Sequence, residues 1–293
     1  MRIIFVGTVK FSLHSLMHLV ALGANITGVV TSQKSEFNSD YADLTKFCLM
    51  NKIPYILTKD INAIESISWI KEKKPDVIFC FGWSSLFNED ILSIPSKGVI
   101  GFHPTELPKN RGRHPIIWAL VLGLNETAST FFFMKKGADT GNILSQEKIS
   151  ISEEDDAGSL YEKLQKTALV QIESFLPKLE SGSVDSVYQD ESISNLWRKR
   201  SVRDGCIDWR MSAKSIHNLV RGLSKPYLGA HFIFEGDDLR VWKTSLVCNV
   251  PSNIEPGKVL YLSNEGPVIK CGEQAICLVI TEPKFEPKIG EYL

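Results

Sequence analysis

Short, almost wholly apolar runs alternate with helical stretches over the first two thirds of the chain, and that alternation leaves few folds open. Residues 2–6, 26–31, 53–57, 76–81 and 98–103 read as strands. Leu13, Leu16, Met17 and Val20 give the i, i+3, i+4, i+7 stripe of an amphipathic helix, and helices are expected near residues 41–50 and 64–73. Strands this apolar must be buried on both faces, as in a parallel sheet covered by helices. In such sheets ligands gather outside the carboxyl ends of the strands, so the residues that end each strand are the first place to look for chemistry. A helix from Pro115 to about 122, strands at 128–134 and 142–151 and a long helix at 157–180 follow. From about 185 to 204 the chain is polar and basic without periodicity and reads as a linker. Beyond it, a helix at 212–223 and short strands at 230–234, 239–242, 257–262, 268–271 and 275–280 suggest a small barrel or open sheet. The expected fold class is α/β: a Rossmann-like, mostly parallel sheet with helices on both faces, plus a small C-terminal β domain.

The 33 basic and 34 acidic side chains give no global field that would favour nucleic acid, although a local basic patch stays open. The start of the chain has one arginine and only a short apolar run, unlike a signal peptide. No stretch approaches the roughly 18 apolar residues of a membrane span. The six cysteines are scattered without a C-x-x-C pair, which predicts reduced thiols, a cytoplasmic setting and no structural zinc site. The turn after the first strand, Gly7-Thr8-Val9-Lys10, lacks both G-x-G-x-x-G and a Walker-type lysine, so no dinucleotide or ATP cradle is expected.

Two segments carry candidate chemistry. In the first, a buried strand ends on His103, and Pro104 holds that residue extended at the carboxyl end of the strand. Local pattern alone leaves His103 as either a structural or a ligand-facing residue. The second is Gly137-Ala138-Asp139-Thr140-Gly141, where an aspartate between two glycines either caps its own turn or faces a site.

Together these segments resemble the folate-dependent formyltransferase family. His103-Pro104-Thr105-Glu106-Leu107-Pro108-Lys109-Asn110-Arg111-Gly112 is similar to its H-x-x-L-L-P-x-x-R-G, and the 137–141 segment follows at the family's spacing. Asp204-Gly205-Cys206-Ile207-Asp208-Trp209 is similar to D-G-x-I-D-W. Ile216-His217-Asn218-Leu219-Val220-Arg221 and Tyr227-Leu228-Gly229-Ala230 resemble two further segments. The resemblance implies a catalytic Rossmann-like domain over residues 1–200, an OB-like β-barrel over 201–293, and 10-formyltetrahydrofolate as donor without a metal. It also implies that His103 and Asp139 are catalytic. His103 would donate to the oxyanion of a tetrahedral intermediate or relay a proton, and Asp139 would orient the imidazole. The family's third catalytic group, an asparagine two residues before the histidine, is Gly101 here. His114, Asn110 and Asn142 are the candidate substitute donors. The implied folate pocket lies against Phe81, Gly82, Trp83 and Ser84 and against Gly137, Asp139 and Thr140, with Phe81 or Trp83 flanking the pterin or else belonging to the core.

Within the family the acceptor is either methionyl-tRNA or a nucleotide-linked amino sugar. Residues 31–43 hold one lysine and three acids where a tRNA-binding relative carries basic residues for phosphate contact, so the chain resembles the sugar N-formyltransferases. Lys199, Arg200 and Arg203 are candidates for a diphosphate, and Trp209 or Tyr227 for a base. Two alternatives remain: a methionyl-tRNA formyltransferase, and a non-catalytic folate- or sugar-binding protein, which Gly101 would favour. Barrel edges and the aromatics Phe232 and Phe234 suggest a homodimer.

Overall fold

A computed structural model describes residues 1–33 and 40–293. In chain order the elements are β1 (Arg2–Val6), α1 (Lys10–Ala21), β2 (Asn25–Thr31), α2 (Thr45–Met50), β3 (Tyr55–Leu57), α3 (Ile64–Glu72), β4 (Val77–Cys80), α4 (Glu89–Leu92) and β5 (Val99–His103). Then come β6 (Arg111–Gly112), α5 (Pro115–Val121), β7 (Glu126–Phe133), β8 (Ile143–Ser150), α6 (Ala157–Ser181) and β9 (Leu196–Trp197). The last are α7 (Ala213–Gly222), β10 (Ala230–Phe234), β11 (Asp237–Val247), β12 (Val259–Leu262), β13 (Pro267–Lys270) and β14 (Ala275–Glu282). They form two compact units, and the chain enters each more than once. The first comprises Met1–Gly112, Thr127–Ile149 and Lys163–Trp197; the second comprises Arg113–Glu126, Ser150–Glu162 and Arg198–Leu293.

The first unit holds a seven-stranded sheet in the order β3-β2-β1-β4-β5-β7-β8. Strands β1 to β5 are mutually parallel, and β7 runs antiparallel to β5. The apolar runs end up where their composition requires: Ile3, Ile4, Phe5 and Val6 are fully buried, as are Val77, Ile78 and Phe79. Phe5, Phe79, Phe81, Phe131 and Phe175 pack ring to ring at 5.0–6.3 Å between centroids. Each buried ring contributes about 1.5–3 kcal/mol by removing apolar surface from water. Helix α1 buries a face rotated from the expected stripe: Phe11, Ser12, Ser15, Leu16 and Leu19 point inward, while Met17 is exposed. Two small serines let the helix approach closely. The Ser12 hydroxyl accepts from the N–H groups of Thr8 and Val9 and donates to the Phe81 carbonyl.

The stretch expected as a linker is instead an ordered strap over residues 187–197. Val187 exchanges backbone hydrogen bonds with Ile143, and β9 pairs in parallel with β6. Its partners lie about 45–85 residues away, out of reach of any local periodicity.

The second unit carries a five-stranded antiparallel sheet in the order β10-β11-β14-β13-β12. Its core gathers Ile117 of α5, Ile216, Leu219 and Val220 of α7, and Trp209, Phe232, Val241, Ile276 and Phe285. β11 runs eleven residues, well beyond the four expected, because Lys243, Thr244 and Ser245 continue the ladder to β14 through a register shift. Phe232 is only 2% exposed and packs edge-on against Trp209 and Phe285, and Phe234 also packs on Phe285. Phe232 is thus a core residue, and Phe234 is half-buried against the same core.

Candidate active site

β5 lies between β4 and β7, so its last residue, His103, sits opposite Thr130 and is 5% exposed. The chain then turns: the Thr105 N–H donates to the His103 carbonyl, and the Thr130 hydroxyl donates to the Thr105 carbonyl. Asn110 takes a left-handed backbone conformation (φ 63°), which asparagine tolerates better than most residues. Its carbonyl lies 2.9 Å from His103 Nε2. A carbonyl can only accept, so Nε2 carries the proton in the neutral ring and Nδ1 is the edge left to exchange one. His103 Nδ1 is 3.6 Å from Asp139 Oδ2, beyond a hydrogen bond but close enough for electrostatic pairing.

Asp139 is also left-handed (φ 54°), in the loop between β7 and β8. Gly141 closes that loop so tightly that a Cβ there would lie 1.9 Å from the Phe133 carbonyl oxygen. Asp139 Oδ2 accepts the Gly112 N–H at 2.8 Å, which fixes the carboxylate against the ring. The loops bearing His103 and Asp139 are thus brought together, each at the end of a strand of one sheet. Burial, reinforced by the negative charge of Asp139, pushes the Cys80 thiol far above its usual range, so it stays protonated and is no nucleophile.

The strap adds residues that pattern reading did not single out. The Gln189 side chain donates to the Asp139 carbonyl at 3.0 Å and the Gly141 carbonyl at 2.7 Å. Its Oε1 accepts from Arg111 Nε and Nη2. Arg111, 6% exposed, also makes a two-pronged ion pair with Glu191 at 2.7 and 2.9 Å. Asn195 Oδ1 accepts the Asn110 N–H at 2.7 Å, and its carbonyl accepts the Arg111 N–H. The Arg-Gly pair of the motif was one available signal; Gln189 and Asn195 had none.

The space beside Gly101 is not vacant. A Cβ there would meet the Met134 and Phe132 side chains at 2.9 Å. Of the candidate substitute donors, Asn142 spends its amide on the Ser186 hydroxyl. Asn110 reaches His103 through its main chain. His114 belongs to the second unit, where it precedes α5 with φ 56° and its Nδ1 accepts the Arg200 N–H at 3.3 Å. Burial, aided by the positive charges of Arg113, Arg200 and Lys199, holds His114 below its ordinary value, as a neutral imidazole.

Among the residues expected around a folate, Phe81 is fully buried inside the aromatic cluster and cannot flank a ligand. Gly82 faces α1, where a Cβ would strike Val9 and Ser12. Trp83 packs on the Ile4–Ile78 side of the core, and its indole N–H is buried without a hydrogen-bond partner among the described residues. Ser84 is exposed, and the Thr140 hydroxyl donates to the Lys136 carbonyl. Gly137 instead lines an open cleft of about 430 Å³ with Lys136 and residues 86–90, a segment not singled out by its sequence. Glu89 and Lys136 pair across it at 3.1 Å.

In the second unit, Arg200 is 8% exposed, donates to the Asp204 carbonyl and lies 4.7 Å over the Trp118 ring. It serves the fold and is not displayed for a diphosphate. Trp209 is 7% exposed within the core, and Tyr227 packs partly buried against it, so Trp209 offers no face to a base. Lys199 and Arg203 are exposed. Of the acid-rich 31–43 stretch, residues 34–39, with Lys34 and Glu36, lie outside the described residues, while Asp40 and Asp43 lie within them. Among the described residues, no group of three or more His, Cys, Asp or Glu side chains is placed to hold a metal, and no helix is long and apolar enough to cross a membrane.

A formyl transferase model matches residues 1–172, and a formyl transferase C-terminal domain model matches residues 199–289. The methionyl-tRNA formyltransferase of Caldanaerobacter subterraneus subsp. tengcongensis is 33% identical over 300 residues, covering 100% of this chain and 96% of that protein. The bifunctional polymyxin resistance protein ArnA of Wigglesworthia glossinidia brevipalpis is 33% identical over 283 residues, 94% of this chain but 42% of that protein. Among solved structures, the sugar 3N-formyl transferase WlaRD, in the presence of dTDP and 5-N-formyl-THF, superposes with a TM-score of 0.74 at 17% identity, over 97% of this chain and 99% of that one. The N-formyltransferase from Helicobacter canadensis, in complex with folinic acid and dTDP-3-aminofucose, gives 0.72 at 16% identity, over 94% and 98%. This chain belongs to the formyl transferase family, whose members are enzymes that transfer formyl groups.

Proposed function

We propose that the protein transfers a formyl group from 10-formyltetrahydrofolate to the amino group of a nucleotide-linked amino sugar. The observation that carries this reading is the His103–Asp139 pair, held at 3.6 Å by two loops of one sheet. The acceptor amine attacks the formyl carbon, a new C–N bond forms, and the bond to the folate nitrogen then breaks. His103 Nδ1 takes the proton shed by the amine and passes it to the departing folate nitrogen. Asp139 stabilises the imidazolium in between. Holding donor and acceptor side by side removes up to roughly 7–11 kcal/mol of barrier. The Asn110 side chain, in the same unit as His103, is the first choice for oxyanion donor, because Met134 and Phe132 fill the space at Gly101. The donor's flat ring is proposed to lie against the loop that bears Asp139, whose Gly137 also borders the cleft at residues 86–90. The folate and dTDP ligands of the structural neighbours support the choice of substrates.

A second reading is favoured by one observation, the 33% identity to a methionyl-tRNA formyltransferase along the whole chain. The low basic charge of residues 31–43 speaks for the sugar. Incubation with 10-formyltetrahydrofolate and either dTDP- and UDP-linked amino sugars or methionyl-tRNA separates the two. Formylated sugar nucleotide with no formyl-methionyl-tRNA is expected; the reverse pattern replaces the first reading with the second. Folate binding without turnover on either acceptor would make the protein a non-catalytic binder.

A further inference from the structure

We infer that the strap over residues 187–197 positions the His103–Asp139 pair, with Gln189 and Asn195 as its working side chains. The inference rests on the reading of that pair as the reacting one. The strap is already anchored by backbone pairing, Val187 to Ile143 at one end and β9 to β6 at the other. Its side-chain bonds to Asn110, Asp139, Gly141 and Arg111 are therefore surplus to tethering, and all end on the two loops that bear the pair.

Each bond acts at a point the loops do not fix themselves. Asn110 and Asp139 are both non-glycine residues in the left-handed region, a conformation that persists only where surroundings impose it. Asn195 holds the Asn110 N–H at 2.7 Å through its side chain and the Arg111 N–H at 3.1 Å through its main-chain carbonyl, so the peptides on both sides of Asn110 are fixed where the Asn110 carbonyl meets His103 Nε2, 2.9 Å away. That carbonyl sets which ring nitrogen carries the proton. Asn195 thus sets the tautomer of His103 from two bonds away. Gln189 does the matching work on the other loop. Its amide faces two carbonyl oxygens with its NH2 and two guanidinium N–H groups with its oxygen, so its orientation is dictated and its capacity filled. Arg111, held by Glu191 at 2.7 Å, is the buried charge that braces Gln189.

The test uses the full chain. Asn195→Ala removes the acceptor, and Asn195→Asp keeps it. Gln189→Glu keeps the oxygen for Arg111 but turns a second oxygen towards two carbonyls. Alanine at 195 and glutamate at 189 should each lower kcat by about 10- to 100-fold, with KM for donor and acceptor within about two-fold of the parent. Aspartate at 195 should restore kcat. Imidazole 15N shifts should show the Nε2–H form of His103 in the parent and in Gln189→Glu, and its loss in Asn195→Ala. These shifts need no turnover. If Asn195→Ala does not fold, Gln189→Glu and the Asn195→Asp shifts decide. Unchanged kcat in both variants while His103→Ala abolishes turnover overturns the inference, as does an unchanged His103 tautomer in Asn195→Ala. Full activity of His103→Ala instead overturns the reading of the pair and leaves the tautomer result to judge the strap.

Discussion

Asp139 and Asp204 each sit at the centre of a polar cluster, one in each compact unit, and they use their charge differently. Asp204 accepts from both terminal guanidinium nitrogens of Arg198 and from the N–H and hydroxyl of Ser201. The Arg198 contacts first, and those of Ser201 next, hold its carboxyl far below the usual carboxylate range. Asp139 has one backbone N–H, from Gly112, and otherwise faces the imidazole of His103. The first carboxylate is committed to shaping the 198–204 segment. The second is left beside a group that can change its protonation. A run of charged residues therefore says little about a binding site until the partners of each charge are known.

The sharpest way to break this contrast is to remove the two carboxylates in turn. Asp139→Asn keeps an oxygen for the Gly112 N–H but loses the charge beside His103. Turnover should fall by about 10²–10³-fold with Tm unchanged. Asp204→Ala should lower Tm by a few degrees and leave kcat per folded molecule intact. Steady-state kinetics and thermal melts on both variants check the pair, and the opposite assignment of effects would dissolve the contrast.

Aromatic residues divide the same way. Phe81→Ala opens a cavity in a fully buried ring cluster and should cost about 3–5 kcal/mol in urea unfolding. A change in folate KM without that loss would return Phe81 to the site.

The smallest effect concerns His217, whose Nδ1 meets the Thr244 hydroxyl at 2.9 Å in the second unit. Burial first, then the charges of Arg221 and Lys214, lower its proton affinity from the ordinary value of 6.5. The unfolded chain thus takes up a proton near pH 6.5 that the folded chain refuses until lower pH. Stability is intact above that value and declines as the pH drops through it. His114 contributes with the same sign. Melts between about pH 7.5 and 5 should show a shallower decline for His217→Gln than for the parent.

The sheet of the first unit was legible because β1, β2, β4 and β5 are apolar on both faces, a property carried by consecutive residues. His103 and Asp139 were legible only through motif spacing, since neither has a distinctive neighbourhood in the chain. What stayed hidden depends on contacts distant in sequence. Ser12 and Ser15 turn α1 because the helix lies close to the Phe81 backbone. Gln189 and Asn195 matter because the strap folds back on loops about 50 and 85 residues away. The second unit takes in Arg113–Glu126 and Ser150–Glu162, which no contiguous division of the chain anticipates. Arg200 and Trp209 had the right chemistry for a nucleotide, but burial commits them to the fold.

In the proposed mechanism formyl transfer runs through His103. The most direct measurement is the single-turnover rate of formyl transfer from 10-formyltetrahydrofolate to a dTDP-linked amino sugar, for the parent and for His103→Ala at saturating substrates. His103→Ala should lose about 10²–10⁴-fold in rate with folate binding retained. A rate within a few-fold of the parent would contradict it.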